Sequence, residues 1–191
     1  MRTVTEIETP RFRMRPLRRT DLGALYPTMS DPDLARYLTR PAFTSHTELW
    51  QWLAAPDWPG RTWIAEDRES GAVAGRFTAV PAGQDGVEEI GYIVCIDRQG
   101  EGVARECAAA LVRHLILAPR EEGGGARKVI AEVDTRNVPS IRLLETLGFT
   151  REAHLREYEE THAGMCDVYL YGLLVGEVGA VPVDIAPPPA A

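Results

Sequence analysis

Lysine is nearly missing from this chain: Lys128 is the only one among 21 basic residues, and valine follows it. A phosphate loop ending G-K-[ST] is therefore absent, and a Schiff-base mechanism has one candidate side chain, so both are close to excluded. Cysteine is scarce as well. Cys95, Cys107 and Cys166 are an odd number at wide spacing with no C-x-x-C pair, which rules against a disulfide frame or a thiolate metal site and leaves small buried residues. The four histidines, His46, His114, His154 and His162, have no partner at i, i+4, so no metal is expected. No apolar run approaches the roughly 20 residues of a membrane span, and "MRTVTEIETPRFRMR" has no signal-type apolar centre. A cytoplasmic protein without a membrane partner is expected. Positive charge is also short, with a formal net charge of -7, which argues against nucleic acid as a partner and favours cationic acceptors.

What is present fits one domain. The 191 residues are 45% hydrophobic, enough for one sizeable core and short for two. "FRMRPLRRTD" alternates Phe12, Met14 and Pro16 against arginines as a half-buried strand, with Thr20 placed to cap a helix through "DLGALYPTMS". "DPDLARYL" predicts a second short helix, and Ser45 with Glu48 forms a capping box for "TELWQWLAA". "RTWIAED", "AVAGRFTAV" and "VEEIGYIVCI" are three strands separated by turn residues, an antiparallel meander. Ala104, Cys107, Leu111, Leu115 and Ala118 make one helical stripe. "KVIAEV" is a buried strand, and a second helix turns Ile141, Leu144 and Leu147 inward before Gly148 ends it. "TREAHLREYEE" and "CDVYLYGLL" close the fold as a strand pair. One crossover, from the meander through the striped helix to "KVIAEV", makes two strands parallel. The expectation is an α+β domain over residues 10–175 with a mixed, mostly antiparallel sheet and helices on both faces. Residues 176–191 are expected to be a disordered tail.

"RQGEGVARE" joins the last meander strand to the striped helix. A helix approached by glycines offers unpaired backbone N–H groups to an anion, and Arg98 and Arg105 add charge beside it. The plain alternative is a strand-to-helix turn with convenient glycines. A Rossmann fingerprint would need glycine or alanine where Arg105 stands.

The pattern [QR]-x-x-G-x-[GA], met by Gln99, Gly102 and Ala104, resembles the pyrophosphate loop of the GNAT family of N-acetyltransferases. Three blocks are similar, in order, to the RimJ/RimL-like branch that acetylates ribosomal proteins. These are "PRFRMRPLRRTDLGALYPTMSDPDLARYL", "EEIGYIVCIDRQGEGVARECAAALVRHL", and "NVPSIRLLETLGFTREAHLREYEETHAGMCDVYLYGLL" with its N-x-x-S helix, L-G-F, L-R and D-x-x-x-Y. Two departures stand out. The proline many relatives carry before the loop is missing, and Leu144 occupies the place where several subfamilies have a tyrosine acid, so that acid cannot be carried over.

The resemblance implies a splayed central parallel strand pair and acetyl-CoA as donor. The backbone of Tyr92, Ile93 and Val94 would pair with the pantetheine arm, their side chains remaining core. The loop Gln99, Gly100, Glu101, Gly102, Val103 and Ala104 would hold the pyrophosphate, with Asn137 touching the cofactor or capping its helix. Ser140 would protonate the departing thiolate. For the base, Glu159 ranks first, Glu89 second, and Glu132 matches a third subfamily; each also reads as a solvated strand carboxylate. Trp50, Trp52, Trp58 and Trp63 read mainly as core, with Trp50 or Trp52 open to line an acceptor cleft. The acceptor would be a primary amine, a protein N-terminus or a small cationic amine, and a homodimer stays open. A non-catalytic CoA-binding module is the competing reading.

Overall fold

The computed structural model of the chain describes residues 4–182. Short alternating segments pair first: β1 (Ile7–Glu8) with β2 (Phe12–Pro16), Ile7 opposite Met14. The sheet thus starts before residue 10, where the domain was expected to begin. Helices α1 (Leu22–Met29), α2 (Pro32–Ala35) and α3 (His46–Leu53) follow. Then come β3 (Arg61–Asp67), β4 (Val73–Pro81) and β5 (Val87–Val94), the expected antiparallel meander. Helix α4 (Val103–Leu117) crosses over to β6 (Lys128–Asp134), which lies parallel to β5. Helix α5 (Val138–Thr146) and the hairpin β7 (Thr150–Thr161) and β8 (Gly164–Leu174) complete one eight-stranded sheet of order β1-β2-β3-β4-β5-β6-β8-β7.

Strand alternation divides the core. Trp63 and Ala65 join Phe12, Met14 and the α4 stripe Cys107, Leu111 and Leu115, with Leu144 of α5, in one cluster. Ile64, between them, faces the other way with Leu25 and Met29 of α1 and Leu49 and Leu53 of α3. Helices therefore cover both faces, as expected.

The caps show where local reading falls short. Ser45 accepts from the Glu48 N–H at 3.2 Å, as its spacing implies, yet Glu48 reaches back to the Thr44 N–H at 2.8 Å. Thr20 lies inside a short 3-10 turn and caps nothing; Asp21 organises this entry instead, accepting the Arg18 N–H at 2.7 Å. Both Asp21 oxygens also take Arg15 nitrogens, at 2.8 and 2.9 Å, with each side chain only 3% exposed. Removing the Asp21 charge leaves the buried Arg15 fork with Glu66 alone, at 2.6 Å on Nε, and its two terminal nitrogens without their carboxylate. Asp21→Asn is expected to cost about 3 kcal/mol of stability, read by urea unfolding.

The expected tail also needs correction. Val175–Ala180 form a 3-10 turn, Val178 packs on the α4 cluster, and Val181 is buried. Apolar side chains at 178 and 181 carry this segment onto the domain although it shows no regular period. Residues 183–191 of the expected tail lie outside the described residues.

Candidate active site

β5 pairs with β4 from Glu88 to Val94, but with β6 only through Val87, Glu88 and Glu89. Beyond Glu89 the two parallel strands part. Backbone that would have paired with β6 from Ile90 to Val94 is left facing a gap, and a half-buried unpaired strand edge is open to a partner. This is the splay the resemblance implied, and Tyr92, Ile93 and Val94 line the cavity that opens there, about 640 Å³ in volume.

The glycine junction closes one end of that cavity. Gly100 and Gly102 both have positive φ, 81° and 78°, a conformation that glycine adopts without a Cβ penalty. The first bond of α4 runs from Glu106 N–H to Gly102 C=O at 3.1 Å, so the preceding amides of Val103, Ala104 and Arg105 have no intrahelical acceptor. They open onto the cavity with Gln99 and Gly100. The Val103 side chain belongs to the α4 cluster.

Three details differ from expectation. Arg98 is not free charge: it bonds Asp67 at 2.9 Å and Glu101 at 2.8 Å, holding Asp67 well below the usual carboxylate range together with the stronger pull of the Ser70 N–H. Glu101 is absent from the cavity wall and serves as a brace, its carbonyl accepting Arg11 at 2.9 Å. Glu106, which sequence reading passed over, is 2% exposed and takes Thr9, the Arg11 N–H and Arg11 Nε, tying the first hairpin to the start of α4. Arg105 is exposed on the cavity and forms no ion pair among the described residues. A pyrophosphate fits this arrangement of free amides, left-handed glycines and one uncommitted arginine.

Valine at 102 would combine a left-handed backbone, strained by about 1–3 kcal/mol, with a branched Cβ at the seat. Gly102→Val is expected to weaken CoA binding by more than about tenfold in calorimetry, Gly102→Ala less. Unchanged affinity in the valine variant would remove the seat.

A second, smaller cavity of about 230 Å³ opens on the α1/α3 side of the sheet. It shares Tyr37, Leu38, Tyr92, Ile93, Asn137 and Ser140 with the first. Gly91 forms part of its floor, where a Cβ would come within 2.9 Å of Thr78 Oγ1. Trp52 lines it, as one of the two tryptophans weighed for that role; Trp63 is core.

At the junction of the two cavities the Tyr92 hydroxyl lies 2.6 Å from Ser140 Oγ. The expectation that the Tyr92 side chain is only core is thereby corrected: its ring packs on the α4 cluster while its hydroxyl enters the site. Burial pushes the phenol up to about 12, against the opposing pull of Ser140, so it stays protonated at neutral pH and is able to donate. Asn137 caps α5, its Oδ1 taking the Ser140 N–H at 3.3 Å, and lines both cavities, so the two readings of Asn137 are compatible.

The three glutamates share one face. Val129, Ala131 and Val133 point into the α4 cluster, so Glu132 points the other way, as Glu89 does between Glu88 and inward Ile90. Glu132 lines the smaller cavity. Glu159 sits opposite Cys166 on β8, past a bulge between Leu155 and Glu159. Burial first, then the charges of Glu132 and Glu159, raises the Glu89 carboxyl above its ordinary value. Burial and then Glu132 and Asp134 do the same for Glu159.

A family model described as an acetyltransferase (GNAT) domain matches residues 11–150. The chain belongs to the GNAT acetyltransferase family. It is 26% identical over 184 residues to an uncharacterized N-acetyltransferase, p20, of Bacillus licheniformis, covering 88% of this chain and 96% of that one. Its fold matches a GNAT acetyltransferase structure from Bacillus anthracis with a TM-score of 0.80 at 20% identity, over 91% of this chain and all of the other. It also matches RimJ of Mycobacterium smegmatis in complex with CoA-disulfide, TM-score 0.75 at 22% identity, over 92% and 88% of the two chains. This acetyltransferase is a single-domain α+β GNAT fold, with the one parallel pair parting at the site. Among the described residues no helix is long and apolar enough to cross a membrane.

Proposed function

We propose that this GNAT protein moves the acetyl group of acetyl-CoA onto a primary amine, and that it acts in the manner of the RimJ/RimL-like enzymes whose L-R and D-x-x-x-Y signatures it carries. The observation that carries the reading is the meeting of two cavities at Tyr92 and Ser140, one floored by the glycine junction and the other by Gly91 beside Glu132. Acetyl-CoA, when bound, supplies an activated acyl group on a thiol leaving group. The open edge of β5 from Gly91 to Val94 pairs with its extended arm as a neighbouring strand would. The amides of residues 103–105, with Gln99 and Arg105, hold its pyrophosphate. A β5 N–H at the gap polarises the acyl carbonyl.

Two proton movements belong to the chain. Ser140 Oγ–H gives its proton to the departing sulfur while Tyr92 O–H donates to Ser140 Oγ, supporting the charge that forms there. The amine must give up a proton before attack, and its destination is the glutamate group. Sheet order places β6 and β8 between β5 and β7, which favours Glu89 over Glu159. Glu89 lies two residues from Gly91 on the face the smaller cavity opens onto. It takes the proton through water, with Glu132 on the wall and Glu159 behind keeping its proton affinity high.

The non-catalytic module draws support from Leu144, which is buried core where subfamilies place a tyrosine. Tyr92 answers that objection by delivering a phenol to the same junction from a different element. Free thiol released from acetyl-CoA across a panel of peptides, polyamines and small amines tests the choice. Amine-dependent release supports the transferase; tight CoA binding with no release on any amine supports the module.

A further inference from the structure

Arg76 lines the smaller cavity and has no part in amine transfer as described above. It stands on β4 between Ile64 of β3 and Ile93 of β5, on the face that α1 and α3 cover. Only 8% of it is exposed. Among the described residues its Nε is buried without a hydrogen-bond partner, and the only hydrogen bond of the side chain is a long one, 3.3 Å, from a terminal nitrogen to Thr62 Oγ1. Among the described residues no carboxylate lies within ion-pair distance of it. The ring faces of Trp52 and Trp58 flank the guanidinium at 4.9 and 5.4 Å, and the side chain lines the cavity alongside Glu132, Tyr92 and Ser140.

Arginine does not escape burial by losing its proton at neutral pH, so a buried guanidinium without a counter-ion is held at a cost. Aromatic faces offset part of it. The other buried arginine of the sheet shows what is missing: Arg15 has Asp21 and Glu66. Arg76 holds its planar fork against two tryptophan rings with hydrogen-bonding capacity unspent, and a guanidinium in that state is suited to receive a carboxylate. The same face carries the glutamates further along. Arg76 pairs with Ile93, Thr78 with Gly91, and Val80 with Glu89, so small groups separate a cationic end from an anionic end. Such a cavity orients a molecule that carries both charges, the amine toward the glutamates and the carboxylate toward Arg76.

Resting on the transferase reading above, we propose that the acceptor is an amine that also bears a carboxylate, an amino acid or a short peptide, and that Arg76 binds that carboxylate. A cavity of about 230 Å³ suits an acceptor of this size. Arg76 is a specificity residue: it sets KM for the acceptor and stays outside the proton transfers.

The test uses matched acceptors with the full chain and acetyl-CoA, following thiol release. The pairs are lysine against cadaverine, 4-aminobutyrate against propylamine, and glycylglycine against its amide. Free amino acids outperforming peptides, or the reverse, identifies the source of the carboxylate. The carboxylate member of a pair is expected to have the higher kcat/KM by at least about tenfold, the value of one charge-assisted contact. Arg76→Gln is expected to raise KM for carboxylate acceptors by about 10- to 100-fold while barely moving KM for the decarboxylated partners, and Arg76→Lys to recover part of the loss. A simple carboxylate without an amine, such as butyrate, is expected to compete with the acceptor on the native protein, a readout that needs no variant. The proposal is overturned if decarboxylated or amidated partners are used as well as the acids, or if Arg76→Gln affects both members of a pair alike. Release with no amine at all, despite CoA binding, would overturn the transferase reading and this one with it; release without carboxylate preference overturns this one alone.

Discussion

Ser140→Ala is expected to lower turnover by roughly 10² to 10⁴ while leaving CoA affinity almost unchanged, because a general acid acts only once the reaction is under way. Ser140 lies at the shared wall of both cavities, and its hydroxyl is 2.6 Å from the Tyr92 oxygen. Tyr92→Phe should therefore lower turnover as well, by less, since Ser140 still reaches the sulfur. The double variant should be no slower than Ser140→Ala alone, as expected for two groups acting in series on one proton. Multiplying effects would mean that the two hydroxyls serve separate steps. Loss of CoA binding in Ser140→Ala would instead make Ser140 a cofactor contact, and the proton would come from water.

Glu89→Gln is expected to cost a further roughly 10²- to 10⁴-fold, with a signature in pH that Ser140→Ala lacks. A base works ionised, so activity falls as pH drops through its pKa. Burial, Glu132 and Glu159 all raise the Glu89 carboxyl, which puts this acidic limb above the range of an ordinary carboxylate. Glu89→Gln should flatten the limb. Glu132→Gln and Glu159→Gln remove a neighbouring negative charge, so protonated Glu89 is less favoured and the limb should move to lower pH while persisting. Acceptor amines titrate too; repeating the profile with an amine of different pKa separates the limbs. A limb flattened by Glu159→Gln and untouched by Glu89→Gln would restore the ranking that the motif order implies.

Much of this was legible in the residues. The meander, the α4 stripe and the single crossover follow from periodicity and turn chemistry, and together they require one parallel pair. Gln99, Gly102 and Ala104 pointed to the loop, and Asn137 and Ser140 to the start of α5, because each signal spans only a few neighbouring residues. What escaped depends on register between distant strands. Tyr92 reads as one of an alternating apolar run, and its contact with Ser140 joins positions 48 apart. Arg98 reads as spare charge until sheet pairing brings it to Asp67, 31 positions away. The proposed preference for Glu89 rests on strand order, which places β8 between β6 and β7. Arg76 sits in "AVAGRFTAV" like any outward strand residue; only the cover supplied by Trp52 and Trp58 shows it to be buried and unpaired. The segment Val175–Ala180 lacks a period of its own and is shaped by the surface it packs on.

Amide hydrogen exchange with and without CoA tests the central claim most directly, that the parted β5 edge and the glycine junction are a backbone-lined cofactor seat. Protection on adding CoA is expected to concentrate at the amides of residues 91–94 and 99–105 and at the first turn of α5, with β1, β2 and the β7–β8 hairpin unchanged. Protection spread evenly over the sheet, or absent from residues 99–105, would contradict the account.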